Sequence, residues 1–210
     1  MLSIKNFSKK YISNTSPVLS ITHCEIEAGI YWIKGENGSG KTSLLKSIAG
    51  LIPFEGSISV EGLDIRSNRM AYAQKVNYAE AEPLYPPFLS GQELIDFYKA
   101  TKAGSFPGAL FKDLGIEKFV RQKTSTYSSG MLKKLSLVLA FIGKPTLILL
   151  DEPLIALDVS AVDVLQAAIA QYSLAGVSFL ITSHQLFNSG LINSATSLVL
   201  KEKTLQKEPI

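Results

Sequence analysis

Cysteine, tryptophan and histidine are close to absent from this chain: its 210 residues include one cysteine, Cys24, one tryptophan and two histidines, His23 and His184. A single thiol cannot close an internal disulfide, and the opening "MLSIKNFSKK" lacks the apolar stretch of a secretory leader. The chain is therefore expected in a reducing, cytoplasmic compartment. Long apolar runs are missing too. The longest, Leu135 to Ile142 with Ser136 inside it and Leu147 to Leu150, fall far short of the ~18 residues that cross a bilayer, so any membrane role requires a partner chain. Charge is sparse and nearly balanced, at 19% of residues and a net +3. The lysine pairs Lys9/Lys10, Lys133/Lys134 and Lys201/Lys203 are scattered, which argues against a nucleic-acid footprint and reads as solvated faces. Tandem repeats and low-complexity tracts are also lacking.

What remains is an ordinary globular composition, 46% hydrophobic, long enough for one domain with a substantial core. The early part reads as strands and turns: "LSIKNF", "PVLSITHCEIE", "GIYWIKG" and "GSISVEGLDI", with Glu61-Gly62 as a hairpin turn. His23, inside one of these strands, is read as structural. From about Pro83 to Gly143 helices dominate, and Ser90-Gly91-Gln92-Glu93 carries a capping-box pattern ahead of "ELIDFYKATKA". After Gly143 strand and helix alternate: "TLILLDEP", "SAVDVLQAAIAQYSLAG", "VSFLITSH" and a hairpin-like "SLVLKEKTLQ". Short, continuously apolar strands separated by helices predict a parallel sheet covered on both faces.

The strongest motif is "GENGSGKT", which fits the phosphate loop G-x-x-x-x-G-K-[ST] and sits between an apolar strand and a helix, as that loop requires. Its residues are Gly35, Glu36, Asn37, Gly38, Ser39, Gly40, Lys41 and Thr42, followed by Ser43. Gly38 and Gly40 let backbone N–H groups turn toward phosphates, Lys41 brings a cation to the β and γ oxygens, and the Thr42 hydroxyl suits Mg²⁺. The helix from Lys41 to Ala49 is expected to pack through Leu44, Leu45 and Ile48 and to end at Gly50. "LILLDEP" then places Asp151 and Glu152 at the carboxyl end of a buried strand, where open α/β sheets bind ligands. Asp151 is expected to hold Mg²⁺ and Glu152 to act as general base on an attacking water.

A third stretch, "YSSGMLKKLSLVLA", opens an apolar helix with Ser128, Ser129 and Gly130. Either serine can cap the helix, and the same small, polar opening with its free N–H groups can receive an anion.

Taken together, these motifs resemble the nucleotide-binding domain of the ABC ATPase superfamily over essentially the whole chain. The resemblance implies an α/β phosphate-loop fold: a mostly parallel core sheet, an antiparallel β portion on the N-terminal side, and a helical subdomain inserted at about 83–143 of a single domain spanning 1–210. Tyr127 to Met131 stands where the family carries its signature, so Ser128, Ser129 and Gly130 are expected to touch the ATP held by another subunit. Tyr11 matches the aromatic residue that stacks on adenine. "IALD", Ile155 to Asp158, resembles the D-loop, and His184 matches the switch histidine that senses the γ-phosphate. The implied activity is ATP hydrolysis with Mg²⁺ by a stand-alone subunit. Such a subunit is expected to dimerise with itself or a similar chain and to drive a separate transmembrane permease from the inner face of the membrane.

Three departures stand beside the resemblance. In "VNYAEAEPLYPP" the family's glutamine is missing; counting from Tyr78 puts Ala81 at its position with Glu80 and Glu82 as neighbours, but an apparent one-residue deletion leaves the position open among these three. The signature carries Ser129 and Met131, and Leu154-Ile155 is unusually apolar beside a D-loop. A nucleotide-binding regulatory module with weak hydrolysis, or a soluble phosphotransferase, would keep the same phosphate loop. Leu84, Tyr85 and Phe88 are candidates to receive a partner helix.

Overall fold

The computed structural model of the chain describes residues 1–12, 15–184 and 195–208. In chain order, β1 (Leu2–Lys9), β2 (Leu19–Ile26), β3 (Ile30–Lys34) and α1 (Lys41–Ile48) come first. β4 (Glu55–Val60), β5 (Leu63–Asp64), α2 (Arg69–Lys75) and β6 (Val76–Ala79) follow. Next come α3 (Gly91–Thr101), α4 (Gly108–Asp113) and α5 (Ser129–Ala140), then β7 (Leu147–Asp151), α6 (Val159–Leu174), β8 (Ser178–Thr182), β9 (Thr196–Lys201) and β10 (Thr204–Lys207).

Two sheets form. The first is antiparallel, in the order β2-β1-β4-β5, and its strands alternate buried and open residues, the pattern of a sheet with one wet face. Its β4–β5 hairpin turns at Glu61 (φ 52°) and Gly62 (φ 78°), two successive positive φ angles that match the twist of the flanking strands. The second sheet runs β10-β9-β3-β8-β7-β6 and is parallel except at β10. The expected parallel sheet is thus present, and "GIYWIKG" belongs to it as β3.

Strand periodicity divides the core. Leu147 and Leu149 of β7 and Leu180 of β8 face α1 and the first sheet, where Leu44, Leu45 and Ile48 meet Ile4, Phe7 and Ile58. Ile148 and Leu150 of β7, with Phe179 and Ile181 of β8, face the opposite way, toward α5 and α6. Each of Leu44, Leu45 and Ile48 is fully enclosed. Burying such a side chain is worth about 1.5–3 kcal/mol, so the helix that follows the phosphate loop is firmly seated between two sheets.

α3, α4 and α5, with short 3₁₀ turns at Ile116–Lys118 and Thr124–Thr126, occupy the stretch anticipated as helical. Ser90 and Glu93 form the capping box at α3. Two lysines depart from the solvated faces expected of them. Lys9 is 4% exposed and donates to the Pro53 carbonyl at 2.8 Å. Lys133 is 1% exposed inside the body of α5. Their neighbours Lys10, Lys201 and Lys203 do face solvent.

The elements α2 and β6 had no clear signature. β6 is four residues long and includes Asn77, and it exists because β7 offers it a parallel partner from Val76↔Leu147 to Ala79↔Leu150. Asn77 Nδ2 also donates to the Ala140 and Ile142 carbonyls, at 2.7 and 2.8 Å. These bonds serve the carbonyls that the end of α5 leaves without helical partners.

Candidate nucleotide site

The carboxyl ends of β3, β7 and β8 lie side by side, with Ile33 and Asp151 both in register with Thr182. A cleft of about 620 Å³ opens there, lined by Tyr11, Gly40, Lys41, Thr42, Glu152 and His184 among others.

The phosphate loop leaves β3 and enters α1. Lys41 Nζ donates to the Gly35 carbonyl at 2.7 Å and to that of Glu36 at 3.0 Å. These bonds curl the loop around the ammonium and leave one of its three N–H groups for another acceptor. Gly40, at φ 103°, occupies the N-cap of α1, so no side chain caps the helix, and no acidic residue stands in the first turn. First-turn N–H groups without a side-chain acceptor, at the positive end of a helix dipole, make an anion site. Asn37, Gly38 and Ser43 line the same cleft, and Ser39 lies beside Gly35, where an added Cβ would meet Ser39 Oγ at 2.8 Å.

Tyr11 reaches the cleft from beyond β1. Its hydroxyl is hydrogen-bonded to Ser43 Oγ at 2.9 Å, and the Lys9 ammonium lies 4.4 Å from its ring centroid. The ring is 39% exposed, so one aromatic surface stands open at the mouth of the cleft.

At the end of β7, Asp151 is buried, and both carboxylate oxygens are engaged. Oδ1 accepts from Thr182 Oγ1 at 2.7 Å and Oδ2 from the Tyr78 hydroxyl at 3.1 Å. Burial and the neighbouring Asp151 charge push the Tyr78 hydroxyl far above its ordinary pKa, which keeps it a neutral donor. Glu152 has φ 43°, in the left-handed region that residues with a Cβ avoid. Its N–H donates to Thr182 through both the carbonyl and Oγ1, each at 3.0 Å. The Glu152 carboxylate accepts the His184 N–H at 3.1 Å, and its other oxygen lies 3.5 Å from His184 Nε2. The residue before His184 is itself fixed, because Trp32 Nε1 donates to the Ser183 carbonyl at 3.1 Å.

Of the two remaining motifs, Tyr127 to Met131 falls outside the cleft lining, and Ile155 to Asp158 touches it through Ile155 alone. Tyr127 is buried and its hydroxyl donates to the Phe119 carbonyl at 3.0 Å, so it packs the core rather than meeting a ligand. Ser128 is the N-cap of α5 and accepts the Met131 N–H at 3.2 Å; Ser129 is exposed. Gly130 lies under the 155–158 segment, where a Cβ would come within 2.8 Å of the Ala156 carbonyl oxygen. Asp158 caps α6 through the Ala161 N–H at 2.8 Å and pairs with Lys134 of α5, also at 2.8 Å. Hydrogen bonds from Lys134, then Ser160 and the Ala161 N–H, hold its carboxyl well below the usual range. The apolar pair beside it has a packing explanation: Leu154 is buried in the core, while Ile155 forms part of the cleft wall.

Sequence reasoning passed over Tyr78, Thr182, Lys133 and Lys134. Thr182 had a usable signal, a hydroxyl closing the apolar strand "SFLIT" at the sheet's carboxyl edge. Lys133 had none, because its partners are backbone oxygens. Its ammonium donates to the carbonyls of Glu80, Ala81 and Asp151 at 2.7, 3.0 and 3.1 Å, and burial lowers its pKa to about 8.

The family model described as ABC transporter matches residues 21–155. The uncharacterized ABC transporter ATP-binding protein YybJ of Bacillus subtilis strain 168 is 33% identical over 188 residues, 88% of this chain and 85% of its own length. A solved structure described as the ATP-binding subunit of an ABC transporter has a TM-score of 0.88 at 23% identity, covering 100% of this chain and 90% of that one. The dimeric post-hydrolysis state of the ATP-binding cassette MJ0796, bound to ADP and phosphate, has a TM-score of 0.81 at 20% identity, covering 99% and 98%. The structural likeness establishes the fold, a phosphate-loop fold of ABC ATPase type, and the sequence matches establish kinship. The chain belongs to the ABC transporter family, as one of its ATP-binding, ATP-hydrolysing members.

Proposed function

We propose that two copies of this chain, or this chain and a similar ATPase chain, close head to tail over two MgATP and drive a separate transmembrane permease subunit. One observation carries the reading: among the described residues, the uncapped N-terminus of α1 and the small, Ser128-capped N-terminus of α5 do not share a cleft. The N-terminus of α1 opens into the cleft with Glu152 and His184, whereas Ser128 to Gly130 at α5 are outside that lining and Ser129 is exposed. A second such end finds work only on another chain's nucleotide. A dimeric cassette with ADP and phosphate is among the structural neighbours, which is in keeping with this arrangement.

Within each half, Tyr11 stacks on adenine, and Gly35 to Ser43 wrap the phosphates, with Lys41 on the β and γ oxygens. Ser128, Ser129 and Gly130 contact the opposite γ-phosphate, and Asp158 lies at the interface. Glu152 accepts a proton from the attacking water, and His184 orients that water and stabilises the carboxylate. Mg²⁺ would be held by the Thr42 hydroxyl and Asp151, and it would neutralise developing phosphate charge. The donor set is one hydroxyl, at Thr42, and one carboxylate, at Asp151, whose oxygens also accept from Thr182 and Tyr78. One hydroxyl and one engaged carboxylate suit an ion that keeps waters and phosphate oxygens as its main ligands.

The chain then acts as a single nucleotide-binding domain over 1–210, with its helical subdomain at about 83–143 facing the permease. No helix among the described residues is long and apolar enough to cross a membrane. A groove of about 410 Å³ runs between α2, β6 and α3, lined by Leu51, Tyr72, Leu84, Tyr85, Phe97 and Tyr98 among others. Leu84 and Phe97 on its rim are exposed, as is nearby Phe88, while Tyr85 is half-buried as part of its floor. This groove suits a partner helix at the cytoplasmic face of the membrane.

The shared site is tested by measuring ATP turnover per chain across a dilution series. Turnover that falls steeply on dilution, as closed dimers become scarce, supports a site built from two chains. A turnover per chain independent of concentration down to nanomolar would refute it.

A further inference from the structure

The peptide unit that joins Asp151 to Glu152 is held at both ends. Its N–H donates to the Thr182 carbonyl and to Thr182 Oγ1, each at 3.0 Å, and its C=O accepts from Lys133 Nζ at 3.1 Å. The other two ammonium contacts go to the Glu80 and Ala81 carbonyls, at 2.7 and 3.0 Å. An ammonium has three donors, and all three are therefore engaged by backbone oxygens of two separate segments. Methionine would fill a similar volume in this apolar helix but would supply no donor. Enclosing a charge without a carboxylate in direct contact is costly, and the return is directional: three fixed carbonyls.

That return matters because Glu152 is strained. At φ 43° it adopts a conformation that persists only when its surroundings over-determine it. A peptide plane clamped at both the C=O and the N–H supplies that constraint, and it keeps the carboxylate 3.5 Å from His184 Nε2. The same ammonium holds the backbone at Ala81, whose methyl side chain is too short to tie this segment to β7 itself. Asn77 fastens the far end of α5 to β6 through the Ala140 and Ile142 carbonyls, so the 77–81 segment is tied to α5 at both of its ends.

We propose that Lys133 is a positioning residue: it locks the Asp151–Glu152 peptide and the 80–81 backbone to α5, so that a displacement of the Ser128-to-Gly130 end of that helix is transmitted to Glu152. The inference rests on the proposed function for the part Glu152 plays. It places the tie between the second anion-binding end and the chain's own catalytic carboxylate inside one buried side chain.

Lys133→Met is the test, read in two ways. In the nucleotide-free chain, hydrogen exchange at the Glu152 amide is expected to speed up by about tenfold or more while that of Leu149, in mid-strand, stays the same, as for loss of one local restraint. In turnover assays kcat is expected to fall about 10- to 100-fold with KM for ATP within about twofold, the pattern of a misplaced catalytic group. Adding Lys133→Met to Glu152→Gln should lower turnover no further, because both changes remove the same contribution. Unchanged Glu152 exchange, unchanged kcat, or multiplicative effects in the double variant would overturn the inference. If Lys133→Met does not fold, Lys133→Gln, which restores two donors, is expected to give an intermediate kcat at unchanged KM, and wild-type kcat in that variant overturns the inference equally. A wild-type chain that binds ATP without turning it over would remove the proposed role of Glu152 instead, while the exchange measurement still decides whether Lys133 clamps the peptide.

Discussion

Replacing Glu152 by glutamine is expected to lower ATP turnover by about 10²- to 10⁴-fold and to leave ATP affinity within about twofold, the cost of losing a general base. The substitution is nearly isosteric, and the contacts that position the side chain survive it. The His184 N–H bond at 3.1 Å can go to the amide oxygen, and the strained backbone at φ 43° is fixed by Thr182 and Lys133, neither of which touches the side chain. What disappears is a proton acceptor with only 13% of its side chain exposed, beside the cleft that Lys41 and Thr42 line. Phosphate release together with nucleotide titration separates the two effects. Equal turnover in variant and wild type would remove Glu152 from the chemistry, and weakened ATP binding would make it a ligand-holding residue instead.

Gly130→Val is expected to abolish nucleotide-dependent dimer formation and to lower turnover by about 10²-fold or more, as when a group is displaced by an ångström from its reacting partner. The cause is steric and local. A Cβ at Gly130 would stand 2.8 Å from the Ala156 carbonyl oxygen, a backbone atom of a segment that is itself strained at φ 64°. Neither side has a flexible end to move away. The start of α5 and the D-loop must therefore part, which also pulls on the Lys134–Asp158 pair that joins them. ATP binding to the separate chain should stay within about twofold, because Gly130 is outside the cleft that holds the phosphate loop. Sedimentation with and without MgATP checks the first effect and nucleotide titration the second. A variant that dimerises like wild type would contradict the placement of Gly130 at the interface.

The parts of this molecule that could be read from the sequence are those whose chemistry is local. A phosphate loop needs its glycines, lysine and hydroxyl within eight residues, a capping box needs four, and a buried strand ending in two acids states its own position in a parallel sheet. Ser90, Ser128 and Asp158 each cap the helix that follows them, and each is itself one of the residue types preferred at that position. The parts that could not be read depend on partners distant in sequence. Lys133 counts as a polar residue in any helical pattern, and only the approach of residues 80–81 and 151 turns it into an interior group. Tyr78 and Asp151 are 73 residues apart, and neither reveals the other. The short strand β6 owes its existence to an edge that β7 presents, which no propensity of "VNYA" announces. The missing glutamine shows the same limit from the other side, since the segment around Ala81 is tied down by a lysine from another helix.

The measurement that bears most directly on the central claim is the solution mass of the Glu152→Gln chain by light scattering, with and without MgATP. With hydrolysis blocked, the closed state cannot be spent, and the account predicts a monomer that doubles its mass only when MgATP is present. A chain that binds ATP and stays at one mass would contradict closure between two copies of this chain, because Ser128 to Gly130 would then meet no nucleotide of a second copy, and only pairing with a similar ATPase chain would be left.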